Sequence, residues 1–358
     1  MLPEFGQRPN IPNDRNPQPP TTKHTNKRGG TEPAARSSAS SSRAPAGGRF
    51  DVGASGCWRL ASSGMVIDAN PSGHVCLTFD FDGPSLWLQR RQTTPTPISR
   101  GEFGAVAVPR LLRLLAARSI AATFFVPGHT IDTYPELCRQ IADAGCELAL
   151  HGYAHELNVG LEREEEVRIL SRSIEAIERT SGTRPVGYRA PSGDVTEQTL
   201  ELLIEEGMTY DSSLMGNDYR PYRVRLGTTF PPDGPPRWGD ETDLIELPWS
   251  WTLDDYVYLE FVTFRRMLMP GLRSPVEMFE NFAGDVEWMA RDVEHGVCTV
   301  VFHPQVIGRG HRLLAMEDWL DRIADLGVSF NRMDEIAATV ATGFEFGIED
   351  SADTSTVS

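Results

Sequence analysis

Apolar runs of four to eight residues alternate with longer helical patterns over about 270 residues of this chain, and that alternation admits few folds. Strands that are apolar along their whole length are buried on both faces, so they belong to a parallel sheet covered by helices. Strands are expected at 75–80, 121–126, 146–151, 186–190, 209–212, 244–247, 298–303 and 328–331. Helices are expected at 106–117, 133–144, 162–180, 196–206, 275–294, 312–326 and 333–341. The segment from Arg163 to Arg179 shows the period most clearly, with Val167, Leu170, Ile174 and Ile177 on one stripe and charges opposite. Gly145 and Gly207 stand where left-handed caps would end helices, and Pro135 sits near a helix start, where its missing donor is harmless. The expected architecture is one α/β domain whose parallel sheet closes as a barrel. Two long excursions, 83–105 and 213–243, lack a regular pattern and are expected to cap the site.

Three apolar runs end in polar clusters. VCLTFD leads into Asp80-Phe81-Asp82, CELALH into His151-Gly-Tyr-Ala-His155, and CTVVFH into His303-Pro304. In parallel barrels, functional groups collect at the C-terminal ends of strands. Two histidines four apart can face one metal ion, and one carboxylate completes a three-ligand site with an open position. A lone HxxxH or DxD is as readily a solvated loop or turn; their shared position at strand ends is what favours a site. Alternate residues of an extended segment point the same way, so either aspartate can bind the ion while the other takes a proton from water. His303 titrates near neutral pH and is placed to protonate a leaving amine, although a lone histidine in this setting is more often structural. Arg189, in GYRAPSG, is placed to orient a carboxylate, and the surrounding Gly and Pro imply a fixed turn that could aim the Ser192 N–H. His129 also ends a strand. Tyr219 in DYRPY and Trp249 in WSWTLDDYVYLEF are either a substrate wall or core; His295 and His311 are read as structural.

The formal net charge is −16, with +5 on residues 1–50 and −21 on the remainder. That balance argues against nucleic acid as a partner. No apolar run approaches the roughly 18 residues of a membrane span. Residues 1–48 are rich in Pro, Gly, Ser and Arg and are expected to form a disordered basic tail; 49–343 should form the barrel, and 344–358 a flexible acidic tail. Five cysteines without CxxC spacing, and an N-terminus without an apolar signal core, lead to the expectation of a reducing, cytoplasmic location.

Taken together and in this order, the motifs resemble the polysaccharide deacetylase superfamily (NodB-homology, carbohydrate esterase 4) across roughly residues 74–342. TFDFDGPS is similar to its first motif, which implies Asp80 as catalytic base and Asp82 as metal ligand. HGYAH resembles the second and implies His151 and His155 as the other ligands. RAPSG implies that Arg189 positions Asp80, YDSSL falls where a fourth motif lies, and FHPQ implies His303 as general acid. The ion implied is Zn²⁺, with Co²⁺, Ni²⁺ or Mn²⁺ as alternatives. The fold implied is a distorted (β/α) barrel of about seven parallel strands, to which 328–331 would be a short addition.

Secreted sugar deacetylases carry adjacent aspartates, TFDDGP, whereas Phe81 separates them here. That form, with YDSSLMGNDYRPY and IELPW, is more similar to the cytoplasmic branch that includes the peptidoglycan-deacetylase-like protein of a gastric pathogen, cofactor-independent allantoinases and cyclic imide hydrolases. The branch implies a homotetramer and a small amide, ureide or imide substrate. The function expected is therefore metal-dependent hydrolysis of a non-peptide C–N bond. Deacetylation of N-acetylglucosamine in chitin-type or peptidoglycan oligosaccharides is the alternative, and a non-catalytic binding barrel is a third reading.

Overall fold

The computed structural model of the chain describes residues 71–349, apart from 265, 266 and 270. The expected basic tail and residues 350–358 of the acidic one lie outside these. The first seven strands are β1 (His74–Asp80), β2 (Thr123–Val126), β3 (Glu147–Leu150), β4 (Gly187–Tyr188), β5 (Tyr210–Asp211), β6 (Tyr222–Leu226) and β7 (Asp240–Glu246). A two-stranded ribbon follows, β8 (Val262–Phe264) with β9 (Met267–Met269); then come β10 (Val293–Glu294), β11 (Val297–Phe302), β12 (Ser329–Phe330) and β13 (Ile348–Glu349).

Among the described residues, nine of these strands form one curled, half-closed sheet in the order β11-β1-β2-β3-β4-β5-β7-β6, with β12 also on β1. Every pairing in it is parallel except β6 with β7. β12 and β2 share one edge of β1, the former against His74 and Val75, the latter against Thr78 to Asp80. All seven residues of β1 are buried, as expected for a parallel strand covered on both faces. Phe79 and Phe302, on neighbouring strands, join Phe279, Phe282 and Trp319 from the covering helices Pro275–Asp292 and Gly310–Ala324 in one aromatic cluster. The distorted parallel barrel is the expected fold, and the eight expected strands correspond to β1 to β5, β7, β11 and β12.

The seam between β11 and the far end of the sheet is bridged at two heights. Near the start of β11, Val297 N–H donates to Tyr219 O at 2.8 Å. Near its C-terminal end, Asp254 makes an isolated parallel bridge with Val301.

Three expectations need correction. The excursion 83–105 is largely helical: Ser85–Gln89 forms one helix and Pro95–Ala117 another. Its prolines and glycines look like breakers, but Pro95 and Pro97 sit in the first turn, where no donor is required. Gly101 and Gly104 are there because the helix comes too close for a side chain: an added Cβ would lie 2.4 Å from Gly83 O and 2.8 Å from the Phe81 ring, respectively. The second excursion, 213–243, contains β6 and the first half of β7 as an antiparallel pair. Finally, 344–349 is docked rather than frayed, because Phe346 is buried and β13 pairs with β10. Among the described residues, no helix is long and apolar enough to cross a membrane.

Gly187 in β4 tests the packing. A Cβ there would lie 1.9 Å from Tyr210 Cζ, whereas Gly182, the left-handed cap at φ 74°, faces open space. Gly187→Ala should destabilise by about 3 kcal/mol, the upper range for overpacking, and Gly182→Ala by about 1 kcal/mol from backbone strain alone. Urea unfolding of the two variants measures the difference.

Candidate active site

A cleft opens at the C-terminal ends of β1, β3, β4 and β11, with a volume of about 420 Å³ counting its mouth. Asp80, the last residue of β1, and Asp82 both line it. Phe81 between them points the other way, fully buried against Gly104 and stacked on Tyr134 at 6.1 Å. The inserted residue therefore anchors the loop in the core while its neighbours face the cleft.

Asp82, His151 and His155 offer ligand atoms that all lie within 4.8 Å of one another, and all three residues are buried. His151 Nδ1 is 2.8 Å from Arg189 O; a carbonyl can only accept, so Nδ1 carries the hydrogen and Nε2 keeps its lone pair. That Nε2 is 3.5 Å from Asp82 Oδ1, and His155 Nε2 is 3.7 Å from the same oxygen. Burial, helped by His151 and Arg90, outweighs the attraction of Asp82 and pushes the His155 pKa down to about 4. Burial would raise Asp82, but the neighbouring histidines, His155 first, hold it well below the usual carboxylate range. A neutral imidazole and an ionised carboxylate are the forms a cation needs. Asp82 Oδ1 has no hydrogen-bond partner, as expected of an oxygen reserved for an ion. The set fits a divalent ion, Zn²⁺ foremost by its two nitrogens and one oxygen. Gln305 Nε2 donates to the other oxygen, Asp82 Oδ2, at 3.1 Å. His155 itself sits at φ 60°, a left-handed conformation that costs about 1–2 kcal/mol and is held by the turn begun at Gly152.

Asp80 Oδ1 accepts from Arg189 Nη1 at 2.8 Å. The same nitrogen reaches Thr78 Oγ1 at 2.8 Å, Nε reaches Ser212 O at 3.1 Å and Nη2 reaches Ser212 Oγ at 2.9 Å. The guanidinium lies 4.1 Å from the Phe125 ring centroid. Asp80 Oδ2 is left toward the histidines, 3.9 Å from His151 Nε2.

His303 is fixed from behind. Its Nδ1 is 2.8 Å from Asp255 Oδ1, and its own N–H donates to the same carboxylate at 3.0 and 3.1 Å. Asp254 stands 3.8 Å from the same ring nitrogen. Burial alone would strip the proton from His303, but the charges of Asp254 and Asp255 and the hydrogen bond override it and push its pKa up to about 10.

Eight of the ten residues singled out in the sequence therefore line one cleft: Asp80, Asp82, His151, His155, Arg189, Ser192, Trp249 and His303. Trp249 lies flat enough on Gly193 that a Cβ there would come within 2.5 Å of its ring. His129 and Tyr219 are not among the cleft residues. After β2 the chain turns into the short helix Gly128–Thr133, with His129 N–H donating to Tyr153 O at 2.7 Å and its ring edge-on to Tyr153. Tyr219 closes the seam at the opposite end of β11 and donates its hydroxyl to Asp285 at 2.8 Å. Sequence reasoning missed Asp254 and Asp255, although both stand in the segment WSWTLDDY, along with Arg90, Trp251, Tyr256 and Gln305.

Residues 68–210 match the polysaccharide deacetylase family. A peptidoglycan deacetylase of Helicobacter pylori is 35% identical over 277 residues, 74% of this chain and 94% of that protein. A peptidoglycan deacetylase-like protein of Gibberella zeae is 34% identical over 52% of this chain and 60% of its own length. Among solved structures, a Mycobacterium smegmatis protein assigned to the polysaccharide deacetylases superimposes with a TM-score of 0.67 at 34% identity, covering 82% of this chain and 99% of the other. An allantoinase has the same fold at a TM-score of 0.61, with 20% identity over 75% of this chain and 90% of its own.

Zinc added to the metal-stripped protein should raise its unfolding temperature by several degrees, since a ligand that binds only the folded state stabilises it. The shift should vanish in Asp82→Asn and His155→Ala, and Gln305→Leu should weaken zinc affinity by about 10- to 100-fold, as loss of a hydrogen bond behind a ligand does. Calorimetric titration and thermal scanning check all three.

Proposed function

The chain belongs to the polysaccharide deacetylase family, enzymes of carbon–nitrogen amide bonds, and from that premise we propose that it is a metal-dependent hydrolase of a compact amide or cyclic imide. The observation that carries the reading is a fixed carboxylate and a fixed imidazole lining one cleft with a metal-competent trio: Asp80 tied to Arg189, and His303 tied to Asp255. Asp82, His151 and His155 would hold a divalent ion, which would supply Lewis-acid polarisation of the scissile carbonyl. Asp80 takes a proton from the water as it adds to the carbonyl carbon, while Arg189 keeps the carboxylate from turning. The Ser192 N–H, in a left-handed turn bordering the cleft, is assigned to the developing oxyanion. His303 then gives its proton to the departing nitrogen as the C–N bond breaks, and the proton on Asp80 returns to solvent with turnover.

The cleft favours a compact substrate. Leu86, Trp249, Trp251 and Tyr256 line it with apolar and aromatic surface, which suits the faces of one ring. A second reading, removal of acetyl from a terminal N-acetylglucosamine, is supported by the peptidoglycan deacetylase of H. pylori matched along nearly its whole length.

With zinc bound, Asp80→Asn should lose on the order of 10²–10⁴-fold in kcat while keeping its metal content. Acetate release from N-acetylglucosamine oligomers and ring opening of succinimide and hydantoin, each compared with this variant, separate the two substrates. His303 works as an acid, so activity should fall as pH rises through its elevated pKa. Asp255→Asn removes a charge that holds the proton, so that alkaline limb should move down by about 1–3 pH units. A limb unmoved in the kcat/KM profile would assign the acid to another group.

A further inference from the structure

Each carboxylate of this cleft has a nitrogen partner: Asp80 has Arg189, Asp82 faces the imidazoles of His151 and His155, and Asp254 and Asp255 flank His303. Among the described residues, one cleft cation has no carboxylate partner. Arg90, half-buried, lines the same cleft, and among the described residues no carboxylate lies within 4.0 Å of it. Its placement is nonetheless specified. Nη1 donates to the Tyr256 hydroxyl at 2.8 Å, and the guanidinium lies 5.6 Å from the ring centroids of both Trp87 and Tyr256. Arg100 makes a useful contrast. It also stacks on Trp87, at 4.2 Å, but away from the cleft it has a carboxylate partner, Glu260, at 2.6 Å. Because the Tyr256 oxygen accepts from Arg90, its own hydrogen is free to donate. The edge thus offers a fixed positive charge and several donors, a geometry suited to a planar anion.

We propose that Arg90, with the Tyr256 hydroxyl, is a specificity site that selects amide substrates carrying a carboxylate near the scissile bond. This rests on the hydrolase reading above and narrows its substrate class to acidic amides. The carboxylate would sit against the guanidinium while the carbonyl faces the Asp82, His151 and His155 trio.

The test compares matched pairs on the zinc-loaded protein. N-acetylmuramic acid differs from N-acetylglucosamine by a carboxylate-bearing ether, and dihydroorotate differs from dihydrouracil by one ring carboxylate. In at least one pair the wild type should favour the acidic member in kcat/KM by about 10- to 100-fold, the worth of a charge-assisted hydrogen bond. Arg90→Gln should bring that ratio near one through KM, and Arg90→Lys should restore part of it. A wild-type ratio near one, or an unchanged ratio in Arg90→Gln, overturns the proposal; a merely structural Arg90 would depress both members and leave the ratio intact. If none of the four compounds is hydrolysed, the hydrolase reading fails on these substrates. Calorimetric binding of the same pairs to zinc-loaded Asp80→Asn, with and without Arg90→Gln, then decides: an Arg90-dependent preference for the acid supports the anion site, and equal binding of both members overturns it.

Discussion

The ion pair between Arg189 and Asp80 organises this molecule. Both residues are buried, and taking two charges out of water costs on the order of several kcal/mol per ion unless geometry and further hydrogen bonds compensate. Here they do. The guanidinium spends its donors on Asp80, Thr78 and two atoms of Ser212, which ties together the ends of β1 and β4 and the residue after β5. Thr78 passes the restraint to β11 through Val300 O, and Ser212 passes it toward β7 through Leu247 O. Asp211 and Glu246, side by side in the register of β5 and β7, add a second acidic layer beside it. Burial pushes Asp211 up to about 6 and, with Asp211 beside it, Glu246 well above the usual carboxylate range, which disfavours two further negative charges against Arg189. Hydrophobic replacement of a buried ion pair is often neutral or stabilising, but here it would leave no carboxylate at the strand end.

Two histidines in the cleft are driven in opposite directions by what surrounds them. His155 meets one carboxylate, another imidazole and an arginine, and burial wins, so its ring stays neutral with a lone pair to give. His303 meets two carboxylates behind one nitrogen, and their charge beats burial, so its ring keeps a proton to give. One residue type is thereby fitted to the two roles proposed for it, ligand and acid, in one cleft, and the difference is set by the neighbours. The two roles also require different backbones. His303 leaves β11 in extended conformation, whereas His155 needs a left-handed turn to bring a second imidazole back toward Asp82.

Most of the sheet could be read from the chain because parallel strands are apolar along their whole length, and the strand-end clusters pointed to the cleft because topology brings all such ends together. What escaped the reading depended on contacts between distant segments. The helix Pro95–Ala117 contains three prolines and two glycines, a composition that argues for a loop until the approach of Gly101 to Gly83 and Gly104 to Phe81 is known. Tyr219 and Trp249 looked alike as aromatic residues in irregular segments, yet one bridges to the start of β11 and the other covers the far end. Nothing local separates those outcomes. The acids behind His303 were hidden for a related reason: LDDY carries no pattern of its own, and only the bridge of Asp254 to Val301 sets it beside the end of β11.

That bridge has a consequence for substrate choice. Between 249 and 256 the chain alternates its duties: Trp249, Trp251, Asp254 and Tyr256 line the cleft, while Asp255 is fully buried and grips His303 from behind. Asp254 caps the short helix Asp255–Leu259 by accepting from Tyr256 N–H at 2.7 Å, so the wall and the acid's partner are set by a single turn of backbone. A change in the wall that shifts this turn must also move the carboxylates against His303. On the proposed function, substrate preference and acid strength are therefore coupled through this one turn, whereas Arg90 lines the same cleft from a separate segment.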